Sequence, residues 1–327
     1  MSTFQELVDG IKDPKQHYDL RIRLIKEIEE ITKRKLIVYA ADFNKSHPAV
    51  PNSINQIDLT CFSDLIEKID DDKIDILIHS PGGSAEATEQ LVSMLRENYR
   101  DIRFIIPRMA KSAATMLALS GNKILMDDRS ELGPTDPQIP MPLQNGMGII
   151  FVPAKAIING FNKAREIIET KGSDILPAYL PLLNKYDLHI LEICEDAIKL
   201  SEELVKEWIA KYMFEDKKEK EELAKEISGH FLEHDNHKSH ARPITISKAK
   251  EWKLDVEDMR ENKDLRDKVW KLYCAIELFF DRSAAVKLYE NAYGTSLMKN
   301  FPQPQVILQG PPPAAHPQPP QQKPQEK

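Results

Sequence analysis

The chain has 327 residues, of which 30% are charged, and a formal net charge of -7 at pH 7. This length is enough for a large α/β domain with accessory elements, and the acidic, mixed-sign charge argues against nucleic-acid binding. Cys61, Cys194 and Cys274 form no CxxC pair, which is typical of a protein from a reducing cytoplasm and argues against a disulfide framework or a zinc site.

The N-terminal residues 1–34 are charged, and their apolar residues recur at helical spacing. We therefore expect an N-terminal helical arm. The first residues lack the apolar core of a signal peptide, and no apolar run approaches the roughly 20 residues of a membrane helix. The sequence thus predicts a cytoplasmic protein without a membrane span.

Short apolar runs alternate with helical patterns in the next part of the chain. "KLIVYAAD" (35–42), "IDILIHS" (74–80) and "RFIIP" (103–107) have the length of strands, and a helix is predicted from about 84 to 98. Strands that alternate with helices in this way predict βαβ units and a mostly parallel sheet.

The second half is predicted to be helical over about 183–233, as part of a domain spanning 35–255, and over a C-terminal segment, 256–300. The first of these segments carries a broad apolar stripe, which either packs on its own domain or forms an oligomer interface. The tail 301–327 is rich in Pro and Gln and is predicted to be disordered with polyproline II character. It is either a plain linker or a ligand for a Pro-recognising partner.

Two strand-to-helix turns contain residues suited to catalysis. In "SPGGS" (80–84) the glycines allow a sharp turn and leave a backbone N–H uncovered, which favours binding of an anion. Ser112 in "PRMAKSAATM" follows a strand and begins a helix, where it is either an N-cap or a nucleophile beside exposed N–H groups.

A serine nucleophile needs a base, and no histidine occurs between Pro81 and Leu188. Lysine is the natural substitute, and the candidates are Lys111, Lys123 and Lys155, with His79 as a further alternative. Lys155 follows Pro153 in "VPAK", in the first turn of a predicted helix. Both that position and burial would favour the neutral amine, although the residue is also typical of a surface lysine.

Four histidines in "HFLEHDNHKSH" (230–240) are spaced by four, three and three residues. This spacing around a predicted helix end is not a recognised zinc pattern, so we expect solvated or hydrogen-bonded histidines and no metal.

The segments "ILIHSPGGSAEATEQLVSML" (76–95), "PRMAKSAATMLALSGNKILMDDRSELGPTDPQI" (107–139) and "VPAK" (152–155) together resemble the serine dehydrogenase proteinase family. These are Clp/crotonase-fold serine peptidases related to signal peptide peptidase A. The resemblance covers roughly 35–255 and implies an α/β fold of repeated ββα and βα units with helices added at both ends.

By that resemblance, Ser112 is the nucleophile, Gly83 and Ala113 supply the oxyanion-hole N–H groups, and Lys155, 43 residues after the serine, is the base. The segment 129–138 lacks the histidine of a Clp-type triad, so a Ser-Lys dyad is expected. The implied activity is cofactor-free hydrolysis of peptides or unfolded proteins by a homo-oligomer, with an extended substrate bound beside the strands of 131–151. The alternatives are a catalytically silent interaction protein and, less favoured, an acyl-CoA hydratase or isomerase.

Overall fold

The computed structural model describes residues 3–143, 148–184, 188–233, 237 and 239–301. The helices are α1 (Thr3–Gly10), α2 (Pro14–Thr32), α3 (Gln56–Ile66), α4 (Ala85–Asn98), α5 (Ala113–Leu119), α6 (Ala154–Lys171), α7 (Leu176–Leu183), α8 (Leu188–Trp208), α9 (Lys220–Leu232), α10 (Ile246–Glu251) and α11 (Lys263–Arg282). The strands are β1 (Lys35–Ala41), β2 (Lys73–His79), β3 (Asp101–Ile105), β4 (Met109–Ala110), β5 (Lys123–Met126), β6 (Glu131–Leu132), β7 (Gln138–Pro142), β8 (Ile149–Pro153), β9 (Ile244–Thr245), β10 (Val256–Asp258), β11 (Ala285–Asn291) and β12 (Ser296–Asn300).

A seven-stranded sheet in the order β10-β5-β3-β2-β1-β11-β12 forms the centre of the fold. The strands from β10 to β1 run parallel, whereas β11 is antiparallel to β1 and β12. The central strands β1 and β2 are buried along almost their whole length, as expected for parallel strands with helices on both faces. The α/β architecture predicted from the alternating strands and helices is therefore confirmed.

The two faces of the sheet support two hydrophobic clusters. Alternate residues of β2 show the division, because Ile76 and Ile78 pack with α3, α4 and α5 whereas Leu77 packs with α2 and α11. The ends of α8 and α9 also join the α5 side, through Trp208 and Ile227 among others. This side of the sheet contains the turn that begins with Ser112.

The first and the last elements of the described residues are part of this core. The predicted helices of 1–34 lie against the sheet, with Leu24, Ile25 and Ile28 of α2 buried beside α11. The prediction of helix beyond residue 282 is wrong, because 285–291 and 296–300 form β11 and β12. Every residue of β11 is buried. The large side chains from Val286 to Tyr289 lie alternately on the two faces of the sheet, which suits a buried strand better than a surface helix. Beyond Phe301, the tail predicted to be disordered lies outside the described residues.

A smaller layer covers the carboxyl ends of the parallel strands. It contains the sheet β4-β6-β9, the hairpin β7-β8, and helix α6. The apolar stripe predicted on 183–233 packs within the chain: Cys194 contacts the α6 and hairpin layer, and Leu204, Val205 and Trp208 enter the main core. Of the helices in the described ranges, none is long and apolar enough to cross a membrane.

Candidate active site

Ser112 occupies a strained turn between β4 and α5. Its φ of 51° and ψ of -122° lie in a region that non-glycine residues rarely adopt, at a cost of about 1–3 kcal/mol. Its side chain makes no capping hydrogen bond, in contrast to Ser84, whose Oγ accepts from Ala87 N at 3.0 Å at the start of α4. The side chain of Ser112 therefore does not cap α5, and its hydroxyl forms no hydrogen bond to any residue within the described ranges.

Gly82 of the "SPGG" turn lies directly against this serine. Its φ is 100°, and a Cβ built on it would lie 2.7 Å from Ser112 Cβ and 3.0 Å from Ala113 N. No larger residue fits there without displacing the start of α5. The glycine that the sequence placed at a sharp turn therefore also allows the two strand-to-helix turns to touch.

The next residue, Gly83, is held by the backbone of Ile54. Ile54 N donates to Gly82 O at 2.7 Å, and Ser84 N donates to Ile54 O at 3.0 Å, so Ile54 bonds to the residues on both sides of Gly83. Gly83 is exposed, whereas Ala113 is buried. Across the part of the chain that the structure describes, neither Gly83 N nor Ala113 N donates to a hydrogen bond. Two unused donors therefore lie in the region of Ser112.

Lys155 is placed on the first turn of α6, as predicted, and its side chain is exposed, which agrees with the alternative of a surface lysine and not with burial. The hairpin pair Gln138–Pro153 and a bond from Ala154 N to Pro137 O of 2.9 Å bring the start of α6 beside the segment after β6. Lys155 and Asp136 consequently line the same cleft, whose volume is about 710 Å³.

Asp136 also makes a contact that the sequence did not reveal. Its side chain is 3% exposed, and its Oδ1 accepts from His240 Nδ1 at 2.7 Å. The pairing of β6 with β9, in which Leu132 faces Ile244, brings together residues 104 positions apart. A carboxylate on Nδ1 leaves Nε2 as the basic nitrogen of the neutral ring. No local motif predicts this pair.

The other candidate bases are engaged elsewhere. Lys111 Nζ donates to Glu131 Oε2 at 2.8 Å. Burial acts to raise the pKa of Glu131, but the hydrogen bonds from Lys111 and Arg108 outweigh burial and hold this pKa below its usual value. Lys123 Nζ on β5 is 3.9 Å from Asp255, near the edge of the sheet formed by β10. Neither amine forms a hydrogen bond to Ser112 in the described part of the chain.

His79 lies on the opposite face of the sheet from α5. Its ring is 5.0 Å from that of Tyr273 and its Nε2 is 3.6 Å from Glu277 Oε1, both on α11. Burial lowers the pKa of His79 to about 3, and Nδ1 accepts a bond from Met109 N at 3.3 Å. The histidine nearest to the glycine turn in sequence therefore faces away from Ser112.

Of the histidines of 230–240, His230 and His237 lie together against Trp252, whereas His240 bonds to Asp136. His230 stacks on Trp252 with ring centroids 4.9 Å apart, and His237 Nε2 is 2.6 Å from His230 O. His234 lies outside the described residues. Within the described ranges, no three His, Cys, Asp or Glu side chains are grouped as metal ligands would be.

Comparison with known proteins places the chain in a family. The family model described as "ClpP-like SDH-type serine proteinase" matches residues 62–283, more than half of the chain. The chain belongs to this family of serine proteinases. The match confirms the resemblance to the serine dehydrogenase proteinases and the fold class that the resemblance implied.

Two uncharacterized proteins of Methanocaldococcus jannaschii are similar to this serine proteinase family member. MJ1495 is 31% identical over 203 residues, covering 62% of this chain and 56% of its own, and MJ0137 is 32% identical over 187 residues, covering 57% and 54%. The chain thus matches only about half the length of these relatives.

The solved structures to which the chain shows similarity include two mutants of the membrane-bound stomatin-specific protease 1510-N, one of them in complex with a substrate peptide. They are 19% and 18% identical, with TM-scores of 0.36 for both. The matches cover 66% and 76% of this chain and 79% and 84% of theirs.

Proposed function

We propose that this protein is a serine endopeptidase in which Ser112 attacks the scissile carbonyl. The observation that carries the proposal is the strained turn at Ser112, whose hydroxyl caps no helix and bonds to no described residue. Backbone strain of this kind is concentrated at functional sites, and a serine at a sharp strand-to-helix turn is the arrangement of a nucleophile.

The N–H groups of Gly83 and Ala113 would stabilise the oxyanion. Both lack acceptors among the described residues, and Gly82 links their turns by touching Ser112 and Ala113. Donors aimed in advance at the developing charge need no reorganisation during the reaction. Loss of one such donor typically slows the reaction about 100- to 1,000-fold.

Lys155 is our candidate for the base. It lies on the first turn of α6, and its exposed side chain can rearrange when a peptide binds. Neutral Lys155 would take the Ser112 proton as Oγ bonds to the carbonyl carbon. It would return the proton to the leaving amine, and water would then hydrolyse the acyl-enzyme. The Asp136–His240 pair is the rival base, since it joins a buried carboxylate to an imidazole.

The substrate would be an extended segment of a peptide or unfolded protein beside the hairpin β7-β8. Ile149, Ile150 and Phe151 of β8 are exposed and would contact its apolar side chains. We further propose that the protein works in the cytoplasm as a homo-oligomer, with the Pro-rich tail either a plain linker or a ligand for a Pro-recognising partner.

The proposal is tested by incubating the protein with an unfolded substrate protein and sequencing the products by mass spectrometry. Internal cleavage that disappears in Ser112→Ala supports a serine endopeptidase. Equal cleavage by the wild type and Ser112→Ala would reject Ser112 as the nucleophile, whereas an inert wild type that assembles with partners would favour the silent interaction protein.

A further inference from the structure

The position of Gly83 depends on the segment between β1 and α3, which ends at Ser53, Ile54 and Asn55. Ile54 is the residue that bonds to both neighbours of Gly83, at 2.7 Å and 3.0 Å. Backbone outside regular helices and sheets is held only by the contacts it makes. Whatever fixes Ile54 therefore also fixes the orientation of the Gly83 N–H.

A buried ion pair forms hydrogen bonds to the residues on both sides of Ile54. Lys287 of β11 is 1% exposed, and its Nζ donates to Ser53 O at 2.7 Å and to both carboxylate oxygens of Asp58 at 2.8 Å. Asp58, fully buried on α3, accepts from Asn55 N at 2.7 Å through Oδ2, and Tyr289 donates to its Oδ1. The pair is thus bonded to the residue before Ile54 and to the residue after it.

We propose that Lys287 and Asp58 are positioning residues of the oxyanion hole, acting through Ile54 on the N–H of Gly83. The inference rests on the proposed function, because it assigns the pair to the same site. The path is continuous: Lys287 and Asp58 bond to Ser53 and Asn55, and Ile54 between them bonds to Gly82 and Ser84.

The alternative of a purely stabilising pair explains less. Taking two charges out of water offsets much of their attraction, so apolar residues of similar volume would join β11 to α3 at least as well. Apolar residues could not, however, donate to Ser53 O or accept from Asn55 N. The Lys287–Asp58 pair therefore fixes the orientation of the backbone at Ser53 and Asn55, and the segment between them bonds to the turn that carries the unused N–H of Gly83.

The chain offers a matched control on the same strand. Glu290 of β11 is fully buried and pairs with Arg21, which is 2% exposed, through two bonds of 2.8 Å. Arg21 belongs to α2 on the other face of the sheet. Arg21→Met therefore removes a comparable buried partner without touching Ile54.

Lys287→Met is compared with Arg21→Met below the unfolding temperature of each. We expect the Lys287 variant to lower kcat for a peptide, and the rate at which a fluorophosphonate labels Ser112, by about 10- to 100-fold, because a displacement of up to 1 Å has that order of effect. KM should stay close to the wild-type value, since the oxyanion forms after binding. Arg21→Met should change neither rate.

If Lys287→Met fails to fold, the double variant Lys287→Met/Asp58→Leu leaves no unpaired buried charge and serves in its place. Amide hydrogen exchange of Ile54 and Ser84 supplies a readout independent of activity, and we expect both amides to exchange faster in the Lys287 variants only. Unchanged exchange there, or wild-type kcat in the variant, overturns the inference. An unlabelled wild-type Ser112 would instead remove the proposed function, while hydrogen exchange would still report whether the ion pair holds the glycine turn.

Discussion

Replacing Gly83 with alanine tests whether its backbone N–H takes part in the reaction. An alanine Cβ would lie 2.8 Å from the carbonyl carbon of Ile54 and closer still to the N and O of that residue. Carbon atoms prefer a separation of about 3.5–4.0 Å, so the turn would have to move by about 0.7 Å or more. The bonds from Ile54 to Gly82 and Ser84 resist that movement, and the N–H would leave its position.

A misplacement of 1 Å costs about 100-fold in rate, and loss of one oxyanion donor costs about 100- to 1,000-fold. We therefore predict that Gly83→Ala lowers kcat about 100-fold, or about 2.7 kcal/mol of transition-state stabilisation, with KM almost unchanged. Peptide cleavage under saturating conditions measures the effect. Gly10→Ala is the control, because a Cβ there meets nothing within 4 Å. A folded Gly83→Ala protein with wild-type kcat would refute the reasoning.

Three further predictions concern Ser112, the base and pH. Ser112→Gly should abolish activity and yet raise the free energy of unfolding, measured by urea titration, by about 1 kcal/mol. Relief of about 1–3 kcal/mol of backbone strain should exceed the entropy cost of a new glycine, whereas Ser112→Ala keeps the strain and should not be stabilised. Lys155→Ala should slow fluorophosphonate labelling by about 100- to 10,000-fold, whereas His240→Gln should leave it near wild type; the reverse order would assign the base to His240. Burial lowers the pKa of His79 to about 3, so below pH 6.5 the unfolded chain takes up that proton first and stability falls with falling pH. Burial raises the pKa of Glu277 from 4.5 to about 7, which opposes this trend between about pH 7 and 4.5, so Glu277→Gln should steepen the fall in stability between pH 6.5 and 4.5 by up to about 1.4 kcal/mol per pH unit in urea titrations. A slope equal to that of the wild type over this range would contradict the raised pKa of Glu277.

The features that the sequence predicted depend on local patterns. Strands such as 74–80 are continuous apolar runs, and the helix after Ser84 begins with a side-chain cap, so both are visible in a few consecutive residues. The placement of Ser112 between a strand and a helix was equally local. Its φ of 51° and its contact with Gly82, thirty residues earlier, could not be predicted from the local sequence.

The missed features depend on contacts between distant residues. The segment 285–291 was predicted to be helical as part of 256–300, and only its pairing with β1 and β12 makes it a strand. The Asp136–His240 and Asp58–Lys287 pairs join residues 104 and 229 positions apart. The exposure of Lys155 likewise depends on how α6 packs against the hairpin, which helix periodicity does not specify.

The central claim is that Ser112 is a nucleophile activated by Lys155, and intact-mass spectrometry after incubation with a fluorophosphonate or β-lactone probe tests it most directly. The wild type should gain the mass of one probe, with peptide mapping placing the adduct on Ser112. Ser112→Ala should gain none, and Lys155→Ala should react far more slowly. An adduct that persists in Ser112→Ala, or a wild type unreactive toward both probes, would contradict the account.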